Sequence, residues 1–151
     1  MEKVQITTLK KALLSDLAYV ADELTEHIET PAVVILTGPL GAGKTALVKA
    51  FCPELPMSSP TYSMVNELGD VAHLDFYRLK GPEELAALEL ELYGEGKKYI
   101  FVEWGLDFAY LLWKTFGDDF TYYEVAIEIN PSAGADTIAS RNYTLTSIGP
   151  E

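Results

Sequence analysis

Apolar residues at Leu13, Leu17, Val20, Ala21, Leu24 and Ile28 recur at helical spacing and predict a first helix over residues 13–28, closed by Pro31. The pattern then changes. Residues 32–37 (AVVILT) form an unbroken apolar run rich in β-branched side chains, the signature of a strand covered on both faces. A glycine-rich turn over residues 38–45 follows, and residues 45–51 predict a short helix ended by Pro53. Residues 53–60 hold three prolines and read as a loop. Residues 62–68 and 71–76 read as a hairpin about Gly69-Asp70. Gly81-Pro82 with Glu83 and Glu84 starts a helix expected to run to about Leu92. Residues 98–103 repeat the buried-strand signature, and residues 106–116 predict another helix. Residues 121–130 and 143–148 predict strands on either side of a loop. Strands alternating with helices imply an α/β/α three-layer fold with a mixed, mainly parallel central sheet.

Length and charge narrow the picture. The 151 residues suit a single domain, taken here as 1–151. No apolar run reaches the roughly 20 residues that cross a bilayer, and the first residues lack the layout of a signal peptide. One cysteine, Cys52, excludes an internal disulfide and a cysteine-based metal centre. A cytoplasmic location is expected. Asp and Glu number 23 against 11 Lys and Arg, a net charge of −12. Such a balance repels polyphosphate, so neither DNA nor tRNA is expected as a direct ligand; any service to RNA would pass through a partner protein.

Gly38-Pro39-Leu40-Gly41-Ala42-Gly43-Lys44-Thr45 fits the pattern G-x-x-x-x-G-K-[ST] at every fixed position. Its context is the one this chemistry requires, an apolar strand before it and a helix-forming run after it. Loop amides and a helix N-terminus together bind an anion. The stretch from Gly38 to Ala46 is therefore the expected nucleotide-phosphate site, with Lys44 on the β- and γ-phosphates and the Thr45 hydroxyl on Mg²⁺. A metal-bound phosphate also needs a carboxylate. Glu103 ends a buried strand, where an open α/β sheet binds its ligands. Asp75 ends another and shares a strand face with His73. Both are candidates for metal ligand and catalytic acid, with Glu103 preferred for orienting water. His73 alone reads as structural, Arg78 as a surface ion-pair residue and Trp104 as core. The hydroxyls of Ser58, Ser59 and Thr61 are placed to sense a γ-phosphate.

Four segments, GPLGAGKT (38–45), SSPTYSMVNEL (58–68), HLDFYRL (73–79) and FVEWG (101–105), together resemble the bacterial TsaE (YjeE) family. That family comprises small P-loop ATPases of tRNA threonylcarbamoyladenosine (t6A) biosynthesis. The resemblance implies a cytoplasmic protein that binds ATP with Mg²⁺. It would hydrolyse ATP when docked on TsaD and TsaB homologues, resetting the complex that modifies adenosine 37 of tRNA. It also implies roles for single residues: Thr61 near the γ-phosphate, Trp104 beside the nucleotide, Asp75 and Glu103 as the family's two acids, and Ser15 near the base. Pro39 and Ala46 depart from the family's usual Asp and Thr, and the segment between Phe51 and Ser58 is shorter than usual. Two other readings of a P-loop this small are a small-molecule kinase and a nucleotide-dependent regulatory protein. With only Arg78 and Arg141 as arginines, no arginine-rich lid is visible, which disfavours a kinase.

Overall fold

The structure, a computed structural model, describes residues 1–56, 64–131 and 139–150. Among them seven strands form one sheet: β1 (Glu2–Ala12), β2 (Ala32–Thr37), β3 (Val65–Leu68), β4 (Val71–Asp75), β5 (Tyr99–Glu103), β6 (Thr121–Ile129) and β7 (Arg141–Gly149). Their spatial order is β1-β7-β6-β2-β5-β4-β3. The four central strands run parallel, while β7 and β3 pair antiparallel with their neighbours. The α-helices among the described residues are α1 (Leu17–His27), α2 (Lys44–Phe51), α3 (Pro82–Ala87) and α4 (Ala109–Phe116).

The central strand shows why the layers form. On β2, Ala32, Val34 and Leu36 face one cluster with Val20 and Leu24 of α1 and Leu47 and Val48 of α2. Val33 and Ile35 face the other, with Leu85 of α3 and Ala109, Leu112 and Phe116 of α4. All five core residues from Ala32 to Leu36 are fully buried, as expected of a strand sandwiched between helices. The expected α/β/α architecture with a mixed, mainly parallel sheet is the one observed.

Several boundaries differ from the sequence reading. The first helix opens with a 3₁₀ turn, Leu14–Asp16, in which Asp16 Oδ2 accepts the Leu13 amide at 2.8 Å. The helix expected over residues 81–92 is not continuous: α3 stops at Ala87, Glu89 is left-handed at φ 51°, and a 3₁₀ turn, Leu90–Tyr93, follows. The reason is angular. Leu85 and Leu90 are both buried, yet five residues on an ideal helix rotate by about 140°. The break at Glu89 turns Leu90 back onto the sheet. β1 was not foreseen. It is an edge strand held by antiparallel pairing to β7, and both of its faces are largely open. The first residues expected of β3, 62 and 63, lie outside the described residues.

Candidate functional site

The glycine-rich turn of residues 38–45 lies between the C-terminal end of β2 and α2. Three glycines give the loop its shape, with φ of 149° at Gly38, 79° at Gly41 and 100° at Gly43, where L side chains are strained. Gly38 is also held by space: a Cβ there would lie 2.8 Å from the backbone oxygen of Ile127. Lys44 opens α2 and is only 6% exposed. Its ammonium donates to the carbonyls of Gly38 at 2.6 Å and Pro39 at 3.3 Å and sits 3.9 Å from the centroid of the Trp104 ring. Burial holds Lys44 below the usual lysine value, against the pull of the Glu103 and Asp75 charges.

The acids arrive from the neighbouring strands. Asp75 and Glu103 are register partners at the ends of β4 and β5, so both side chains leave the same face beside α2. Glu103 is 4% exposed and its Oε2 accepts the Thr45 hydroxyl at 2.8 Å. The same oxygen lies 2.5 Å from His73 Nε2, and His73 is 2% exposed. Through this contact the buried His73 ring holds the Glu103 carboxyl in place. Asp75 is half-buried and accepts the Tyr77 amide at 3.0 Å. Trp104 takes φ 61°, a strained value for a side-chain-bearing residue, and its ring stacks obliquely on Tyr77 with centroids 5.1 Å apart.

These groups border one cavity of about 470 Å³. Its walls include residues 40–46 of the loop, Asp75, Glu103 and Trp104, with Met64, Tyr77 and Arg78 at the side. Nearly every site residue expected from sequence is thus brought together. Three are placed differently. Gly38 and Pro39 contribute carbonyls to Lys44 rather than cavity wall. Ser15 is exposed on the turn before α1 and does not border the cavity. Thr61, with Ser58 and Ser59, lies outside the described residues. His73, read as structural, is buried and touches the site only through Glu103, and Arg78, read as a surface residue, is exposed and also borders the cavity. Trp104, core by pattern and beside the nucleotide by resemblance, packs against the core and borders the cavity.

A phosphate with its metal fits these residues. Among the described residues no cluster of three or more His, Cys, Asp and Glu could hold a metal unaided. A hydroxyl and a carboxylate at 2.8 Å, beside a buried ammonium and an anion-binding loop, instead suit a metal that brings phosphate oxygens with it. The description threonylcarbamoyl adenosine biosynthesis protein TsaE belongs to a family whose pattern matches residues 12–137 of this sequence. The chain belongs to the TsaE family. A tRNA threonylcarbamoyladenosine biosynthesis protein TsaE of Nostoc is 40% identical over 93 residues, 54% of this chain and 57% of that protein. Its counterpart in Haemophilus influenzae is 35% identical over 86 residues, 52% of this chain and 54% of that protein. The chain thus spans a little over half the length of these relatives. The crystal structure of Bacillus subtilis YdiB superposes with a TM-score of 0.62 at 25% identity, covering 99% of this chain and 89% of that one. The TsaE match leaves out most of β1 and all of β7, the two strands that extend the sheet beyond β6. Among the described residues no helix is long and apolar enough to cross a membrane.

Proposed function

We propose that this TsaE-family protein is a Mg²⁺-dependent ATPase that serves t6A formation on tRNA by acting on a complex of TsaB and TsaD homologues. The observation that carries the reading is the Thr45–Glu103 contact at 2.8 Å, beside the buried Lys44 in a P-loop cavity. Thr45 and Glu103 would hold Mg²⁺, which supplies charge neutralisation on the phosphate oxygens. Lys44 exchanges its carbonyl partners for the β- and γ-phosphates and, with the loop amides, stabilises the charge that builds as the γ-phosphoryl group leaves ADP. Asp75, half-buried at the cavity edge and not engaged with Thr45, orients the attacking water and takes its proton. This allocation differs from the one preferred on sequence, which gave the water to Glu103. The contact with Thr45 supports the metal side for Glu103.

ATP turnover measured with and without a cognate TsaB–TsaD pair, beside Lys44→Ala, tests the proposal. Turnover should rise on adding the pair and vanish in the variant. Lys44→Ala should also weaken ATP binding about 10- to 150-fold, the range for losing hydrogen bonds from a charged donor. ATP binding without turnover under any partner condition would leave a nucleotide-dependent regulatory protein. No stimulation by the pair would remove the t6A role.

A further inference from the structure

Arg141 stands 99 positions from the loop in sequence, beyond the end of the TsaE match, yet it reaches into the P-loop. Its Nε donates to the Ala42 carbonyl at 2.6 Å and its Nη2 to the Gly41 carbonyl at 3.3 Å. The guanidinium therefore serves two consecutive loop carbonyls with its rigid donor fork, a geometry a lysine cannot copy. Arg141 is itself firmly mounted. It opens β7 and is a register partner of Ala12 in β1 and of Ile129 in β6. The next residue, Asn142, ties the same corner by accepting the Lys11 amide at 3.0 Å and Asn130 Nδ2 at 2.9 Å.

We propose that Arg141 is a positioning residue that presets the P-loop for nucleotide phosphate. A trans peptide unit directs its carbonyl and its N–H to opposite sides. Holding the Ala42 carbonyl on Arg141 therefore turns the Gly43 amide away from Arg141, and Gly43 borders the cavity. Holding both carbonyls also keeps their negative ends from swinging toward an incoming phosphate. The loop then binds without first being ordered, and the ordering cost falls on folding instead. Sheet strands that the family pattern does not match thereby support the family's site.

This inference rests on the nucleotide-binding reading, so its test has two independent readouts. The first is amide exchange across residues 38–45 in the protein without nucleotide, for wild type, Arg141→Ala and Arg141→Lys. The second is the Kd of Mg²⁺-ATP and of Mg²⁺-ADP by calorimetry. Exchange in the loop should quicken in Arg141→Ala while the exchange of β2 and β5 stays at the wild-type rate. Affinity for both nucleotides should fall about tenfold or more in Arg141→Ala, with a smaller loss in Arg141→Lys. Unchanged loop exchange in the variants overturns the clamp, whatever ATP does. Loop exchange that quickens while the Kd stays within twofold of wild type overturns the presetting role. If wild type binds no ATP although loop exchange responds as expected, the ATPase reading fails and the clamp on the loop stands. If Arg141→Ala does not fold, Arg141→Lys decides on the same two readouts.

Discussion

Glu103 Oε2 accepts the Thr45 hydroxyl and also meets the His73 ring, and under the proposed function this sharing divides the labour at the site. An oxygen pinned between a P-loop hydroxyl and a buried imidazole is aimed where a metal would sit; Asp75, with more freedom, faces the cavity edge. The two acids should therefore fail differently. Glu103→Gln should raise the Mg²⁺ concentration needed for half-maximal turnover about 10- to 100-fold. Asp75→Asn should lower kcat about 10²- to 10⁴-fold with the Mg²⁺ requirement unchanged. A Mg²⁺ titration of turnover in each variant checks this; an unchanged requirement in Glu103→Gln would return that acid to the water. Lys44, Thr45, Asp75 and Glu103 were legible in the sequence because a local motif or a strand end marks each of them. The support beneath them was not. His73 opens the HLDFYRL segment, yet nothing in that segment pairs it with Glu103; the β4–β5 register does. Arg141 carries none at all, since its contact depends on three strand pairings across the sheet.

Elements were readable where one face or both faces are buried, because burial writes a period into the chain. β2 and β5 announce themselves as apolar runs; β1, with both faces largely open, has no such run and exists through its ladder with β7. The broken α3 region fails for the converse reason. Its propensities favour a helix, and tertiary burial of Leu85 and Leu90 overrides them. Two tyrosines on adjacent strands show how differently one hydroxyl can weigh on an element. Tyr122 on β6 donates to the Gly117 carbonyl at 2.7 Å, tying the strand to the end of α4. Tyr143 on β7 is fully buried, and its hydroxyl has no partner among the described residues. Tyr122→Phe should cost about 1 kcal/mol in urea unfolding, while Tyr143→Phe should be neutral or stabilising. Burial, with the Asp118 charge adding to it, pushes the Tyr122 hydroxyl up to about 12 from 10. The folded state thus keeps a proton that the unfolded chain loses between those values, and the stabilisation is complete below pH 10. It is lost as pH rises toward about 12. Tyr122→Phe should flatten that alkaline decline; an unaltered slope would show that other groups control it.

At the scale of the molecule, a net charge of −12 sets the terms on which the protein could meet tRNA. The structure sharpens this beyond composition, because much of the positive charge is already spoken for. Lys3 pairs with Glu124 at 3.1 Å and Lys97 with Glu67 at 3.2 Å. Lys44, Lys49 and Arg141 all donate to backbone carbonyls. At least five of the 11 basic residues are thus turned toward the protein's own oxygens, three of them around or beside α2. Nucleic-acid affinity comes mostly from neutralising phosphates, and nonspecific binders reach Kd values of about 10⁻⁴ to 10⁻⁶ M at physiological salt. The isolated protein should bind tRNA more weakly than that range, whereas the ATP binding proposed for the loop amides and the buried Lys44 ammonium should survive the same salt. Fluorescence anisotropy of labelled tRNA at physiological ionic strength, with ATP present and absent, measures the first quantity. A Kd near 1 µM or tighter for the protein alone would overturn the view that a partner must carry the RNA. Weak binding that strengthens only when a TsaB–TsaD pair is added would fit a division in which basic surface belongs to the partners and the P-loop chemistry to this chain.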